Sequence, residues 1–85
     1  MSPLMTETEI IARLQTIFDD IFLDPPKLTP ELSAKDVPEW DSLLQISLML
    51  AVEKAFAIRF RVGEVERTKN IGEFAKLIEK RIQGK

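Results

Sequence analysis

Few residues in this chain could do chemistry, and their types narrow what that chemistry is. There is no histidine and no cysteine. A Ser–His–Asp or Cys–His site therefore cannot be assembled from this chain, nor can a zinc site built on His or Cys ligands. Three carboxylate pairs remain: Asp19 with Asp20, Asp36 with Glu39, and Glu64 with Glu66. Glycosidase-like acid/base work needs two carboxyls facing one another across a cleft, and so small a domain promises none. No stretch has the alternating acids and central glycine of an EF-hand loop. The three glycines, at 63, 72 and 84, are isolated and form no phosphate loop. Independent catalysis is not expected. What is left is one hydroxyl, Ser42, in the segment Asp36-Val37-Pro38-Glu39-Trp40-Asp41-Ser42-Leu43-Leu44-Gln45-Ile46.

Ser42 falls where a loop feeds an apolar helix, and its position supports two readings. Serine is a preferred N-cap, and Ser42-Leu43-Leu44-Gln45 has the spacing of a capping box, so a structural role is sufficient in itself. The same position also suits an attachment point. A hydroxyl at a helix start is accessible, and the free N–H groups and positive dipole end there favour a phosphodiester. A carrier of this kind needs no catalytic residues of its own.

The elements that must position Ser42 follow from punctuation and periodicity. Thr6-Glu7-Thr8-Glu9 reads as a capping box. It is followed by Ile10, Ile11, Leu14, Ile17, Phe18, Ile21 and Phe22 at helical spacing. Pro25-Pro26 stops this first helix, which spans about residues 7–22. Residues 23–41 carry four prolines and no sustained period, with Leu28, Leu32 and Val37 available to pin the loop to a core. A connection this long in a compact domain is often functional. Leu43, Ile46, Met49, Val52 and Phe56 form the expected buried side of the second helix. Phe56 to Phe60 follows as a short extended stretch with inward aromatics, and Glu64 to Thr68 as one short helical turn. Asn70 with Glu73 makes a further capping box for a last helix carrying Ile71, Phe74, Ala75, Ile78 and Ile82, with Gly84 as terminator. The expected fold is all-α: three main helices, one short helix, and a long loop between the first two.

These landmarks resemble the acyl carrier protein family along most of the chain. Asp41-Ser42-Leu43 looks like the family's Asp-Ser-Leu signature. Trp40-Asp41-Ser42-Leu43, then Glu53-Lys54-Ala55-Phe56 and Ile58-Arg59-Phe60, is similar to freestanding carriers of specialised pathways. Asn70-Ile71-Gly72-Glu73-Phe74 looks like the start of the family's final helix. The resemblance implies a four-helix bundle in which Ser42 receives 4′-phosphopantetheine from coenzyme A through a phosphopantetheinyl transferase. The arm would hold acyl groups as thioesters and present them to acyl-loading and acyl-processing enzymes of fatty-acid, polyketide or related biosynthesis. Asp41 and Leu43 would lie in the surface the transferase recognises. Family members usually present several acids on the second helix. Here Glu53 is retained, whereas Leu44 and Ser47 stand where acids are common and Lys54 is basic. Weaker electrostatic steering, an exposed Leu44 as a local apolar contact, and a dedicated partner set are the expected consequences; the equal alternative is that Leu44 merely covers the long loop. The competing expectation is an unmodified helical interaction module in which Ser42 is only a helix cap.

Composition sets the outer bounds. Eighty-five residues make one domain, taken as 1–85 with residues 1–5 flexible. The first 42 residues hold nine acids and three bases, the remainder five acids and nine bases, and the net charge is −2. That balance supplies no concentrated basic face for nucleic acid. The N-terminus lacks the basic region of a signal peptide, and no apolar run is long enough to span a membrane. A cytoplasmic monomer is expected.

Overall fold

The computed structural model describes residues 6–61 and 63–84; the expected flexibility of residues 1–5 lies outside them. Three α-helices make up the architecture: α1 (Glu7–Ile21), α2 (Ser42–Phe56) and α3 (Ile71–Gln83). Among the described residues there is no strand. Single 3₁₀ turns occupy Ala34–Asp36 in the long loop and Val65–Arg67 before α3. The expected short helix is thus one 3₁₀ turn of three residues, and a second such turn, unanticipated, interrupts the long loop. One glutamate explains why the later turn stays short. Glu64 ties to the Arg61 amide and to Arg81 of α3, leaving few residues free before Asn70 must cap α3.

Helix α1 starts as its sequence demands. The Glu9 amide donates to Thr6 Oγ1 (3.2 Å), and the Thr6 amide donates to Glu9 Oε1 (2.9 Å). The Thr6 amide, and the Thr6 hydroxyl donating to the same oxygen at 3.1 Å, hold the Glu9 carboxyl below its ordinary pKa. The helix ends one residue earlier than expected, with Phe22 as its C-cap. At α3, the Glu73 amide donates to Asn70 Oδ1 (2.9 Å), but the Glu73 carboxylate accepts from Lys69 rather than Asn70. Only half of that capping box forms.

The core lies where α1 packs against both α2 and α3. Ile10, Leu14 and Phe18 come from α1, Leu48, Val52 and Phe56 from α2, and Ile71, Phe74, Ala75 and Ile78 from α3. The stripes of α1 and α3 agree with their periodicity; that of α2 does not. Leu43 and Ile46, expected inside, are exposed, while Leu48 is fully buried. Apolar residues occur on every side of α2, so periodicity alone had no polar face to select against. Leu44, read either as an exposed contact or as cover for the loop, is half-buried against the core. It covers the interior instead of offering a contact.

The long loop is pinned as its apolar residues suggested: Leu28 and Val37 are buried, and Leu32 packs half-buried beside them. Gln15 of α1 reinforces this, donating to the Pro26 carbonyl (2.9 Å) and accepting from the Leu28 amide (2.9 Å). At the other end, the Ile71 amide donates to the Leu32 carbonyl (2.8 Å) and the Gly72 amide to the Pro30 carbonyl (2.9 Å). A Cβ on Gly72 would stand 3.2 Å from that Pro30 oxygen, closer than ordinary packing. Glycine therefore lets the start of α3 lie directly against the loop.

Candidate functional site

Residues 39–41 are each anchored separately, and together they determine where Ser42 points. The Glu39 carboxylate accepts from the amides of Leu23 (2.7 Å) and Asp24 (3.2 Å), tying the loop's end to its beginning. The Trp40 ring meets Phe18 edge-on at 5.2 Å between centroids and Phe22 at 6.0 Å, and those two phenylalanines stack at 4.8 Å. Such aromatic pairs contribute beyond the area they bury. The Trp40 indole N–H donates to Gln45 Oε1 at 2.6 Å, fastening the ring to the first turn of α2. The Leu44 amide donates to Asp41 Oδ1 at 2.9 Å, which makes Asp41 the N-cap.

Ser42 is consequently the first residue of α2 and not its cap. The expected Ser42–Gln45 capping box does not form, because Asp41 takes the capping position and Gln45 faces Trp40. Aspartate and serine cap comparably well, so two adjacent candidates left the sequence without a criterion. Ser42 is exposed, and its hydroxyl enters no hydrogen bond among the described residues. It stands at the positive end of a 15-residue helix, where a phosphodiester, if attached, would meet backbone N–H groups without intrahelical partners. An anionic arm fits the residues present.

A cavity of about 520 Å³ opens next to this turn, lined by Trp40, Gln45, Val65, Thr68 and Phe74 among others. It is bounded by the loop, the first turn of α2 and the start of α3. No sequence signal marked it, because its walls come from segments distant in the chain.

The other expected site residues are dispersed. Leu43 and Ser47 are exposed on α2, whereas Leu44 turns inward. Glu53 is not an open acid: its carboxylate accepts from the Phe60 amide at 2.8 Å and holds the α2–α3 connection. The three carboxylate pairs do not face one another across a cleft. Asp19 and Asp20 are exposed, Asp36 accepts from Ser33, Glu39 from Leu23 and Asp24, and Glu64 pairs with Arg81. The bond from Arg81 holds the Glu64 carboxyl below its usual range. Among the described residues, no group of three or more acids could hold a metal, and no helix is long and apolar enough to cross a membrane.

No family model matches the chain. Individual proteins do. The chain is 30% identical over 70 residues to acyl carrier protein 2 of Ralstonia nicotianae, an alignment covering 81% of this chain and 86% of that relative. The chain belongs to the acyl carrier protein family. A second acyl carrier protein, from Thermosynechococcus vestitus, is 28% identical over 79 residues, covering 92% of this chain and 98% of its own. The solution structure of a holo acyl carrier protein from Geobacter metallireducens superposes with a TM-score of 0.80 at 36% identity, covering 88% of this chain and 87% of that one. Three α-helices around one apolar core, with a long loop before the second, are thus an acyl carrier protein's architecture.

Proposed function

We propose that this chain is a non-catalytic carrier whose Ser42 hydroxyl is joined to 4′-phosphopantetheine taken from coenzyme A by a phosphopantetheinyl transferase. The arm supplies a terminal thiol that holds acyl groups as thioesters. The observation that carries this reading is the state of Ser42: exposed, unbonded and relieved of capping by Asp41. Each residue around it has a distinct task. Asp41 fixes the start of α2, Trp40 and Gln45 lock that turn to α1, and Leu43 sits exposed beside Ser42 for the transferase to contact.

The adjoining cavity supports the same reading: polar residues such as Lys35, Glu66 and Asn70 share its walls with Ala34, Trp40, Val65 and Phe74, yet the surface it presents is mostly carbon and can shelter the apolar part of a cargo. We read the chain as a cytoplasmic monomer of one carrier domain, serving acyl-loading and acyl-processing enzymes of fatty-acid, polyketide or related biosynthesis. The alternative of an unmodified module with a capping serine lacks its main support, because the cap is Asp41.

Intact-mass measurement after incubation with coenzyme A and a promiscuous transferase tests the proposal. The expected result is addition of one phosphopantetheine to the wild type and none to Ser42→Ala. A folded wild type that stays unmodified overturns it.

A further inference from the structure

One side of α2 has no partner among the described residues. Leu43, Ile46 and Leu50 are 75%, 57% and 62% exposed. With Ser47 and Lys54 they fall on one stripe, because residues three, four and seven apart share a helix side. The stripe adjoins Ser42, which stands one turn before Ile46. Aliphatic side chains exposed in a row beside an attachment point mark a contact surface, whereas single surface leucines would not.

The charge around the stripe indicates what it contacts. From Ser42 to Val52 the helix has no charged residue. The acids at its two ends are directed at backbone amides, Asp41 at Leu44 and Glu53 at Phe60. Both acids keep their charge, Asp41 exposed at the Ser42 end and Glu53 half-buried, and the exposed charges at the far end are positive. Lys54 is exposed at its far end. Exposed Arg59 is held there too, since its neighbours Ile58 and Phe60 donate to the Glu53 carbonyl and carboxylate. Arg13 of α1 meets the opposite, core-facing side of α2, donating to the Ala55 carbonyl at 3.4 Å and lying over the buried Phe56 ring, so it is not part of the stripe. From Leu43 to Lys54 the face extends about 16 Å at 1.5 Å per residue. It is apolar along its length, with Asp41 at the Ser42 end and Lys54 and Arg59 outnumbering the half-buried Glu53 at its distal end.

We propose that this face docks onto a partner enzyme whose receiving surface is an apolar strip bounded by carboxylates. An enzyme that reads an acidic carrier helix through lysines and arginines is rejected by Lys54 and Arg59. The inference rests on Ser42 as the attachment residue, which is what brings α2 to an enzyme. Three aliphatic side chains offer well under the roughly 800 Å² per partner of a standard stable interface, as suits a brief enzyme encounter rather than a homodimer.

The test uses the phosphopantetheinylated chain, with modification verified by mass before any assay. Its probe is a malonyl transferase of bacterial fatty-acid synthesis with a basic docking patch, and its readout is kcat/KM for malonyl loading at low and high salt. The wild type should load poorly at a rate nearly independent of salt. The double variants Leu50→Glu/Lys54→Glu and Ser47→Glu/Lys54→Glu should each gain about tenfold or more at low salt and lose the gain at high salt. Two variants guard against one misfolding, and circular dichroism checks both. Wild-type loading as fast as that of an acidic housekeeping carrier, or folded variants with no gain, overturns the proposal. So does a homodimer in sedimentation that Ile46→Ser dissociates, because a second copy would then be the occupant. Failure of the mass check instead refutes attachment at Ser42.

Discussion

Asp41 and Ser42 are neighbours with similar capping chemistry, and the fold assigns them separate work. Asp41 satisfies the Leu44 amide, while the Ser42 hydroxyl is left free. Asp41→Ala should therefore lower stability by about 0.5–2 kcal/mol, the usual effect of losing an N-cap. Ser42→Ala should change it by less than about 0.5 kcal/mol, as surface substitutions do. Urea denaturation of the two variants beside the wild type measures the difference; equal losses would show that Ser42 shares the cap. Glu64 allows a second test at this scale. Arg81 and the Arg61 amide depress its pKa in the folded chain. A depressed carboxyl stabilises the fold above its unfolded pKa, and that contribution disappears as pH falls through the folded value. Glu64→Gln should melt below the wild type at neutral pH, with the gap closing in acid. Melting curves across that range provide the check, and a gap that persists below the carboxylate range would assign the effect to packing.

The elements show how local rules are met and where they are strained. Helix α2 ends at Ala57, which has φ of 55° and ψ of 47°, the left-handed conformation glycine adopts without strain. This bend brings the Ile58 amide to the Glu53 carbonyl and turns the chain towards Phe60, where Glu53 takes a second bond. An L-residue there costs about 1–2 kcal/mol. Glycine relieves that cost but loses roughly 0.5–1 kcal/mol more conformational entropy on folding. Ala57→Gly should thus raise stability by up to about 1 kcal/mol, read as a higher denaturation midpoint at unchanged slope. A lower midpoint would mean that the left-handed bend carries no strain. The strained residue turns the chain so that Arg59 follows α2 between the two amides bonded to Glu53.

At the scale of the whole molecule, one aromatic cluster connects stability to the site. Phe18 is fully buried, stacks on Phe22 and receives the edge of Trp40, two residues before Ser42. Phe18→Ala should cost about 3–5 kcal/mol, a large share of what so small a domain possesses. It should also loosen the turn that presents Ser42. Trp40 is the single tryptophan, so its fluorescence reports both unfolding and local release. A variant with unchanged midpoint and emission would show that Trp40 is held by other contacts.

Much of this was determined by the chain alone, for identifiable physical reasons. Missing histidine and cysteine exclude whole classes of site, prolines end α1, and the Thr6 box begins it. On α1 and α3, apolar and polar residues alternate around the helix, so burial could be read from spacing. The tertiary structure decided what depended on segments meeting across the chain. Helix α2 is apolar on every side, and only its packing against α1 buries Leu48 and Val52 while leaving Leu43, Ile46 and Leu50 outside. Likewise Asp41, not Ser42, became the cap once Trp40 docked on Phe18 and drew Gln45 to its indole. Spacing registers neighbours along one helix, whereas the side turned to solvent is set by what the rest of the fold covers.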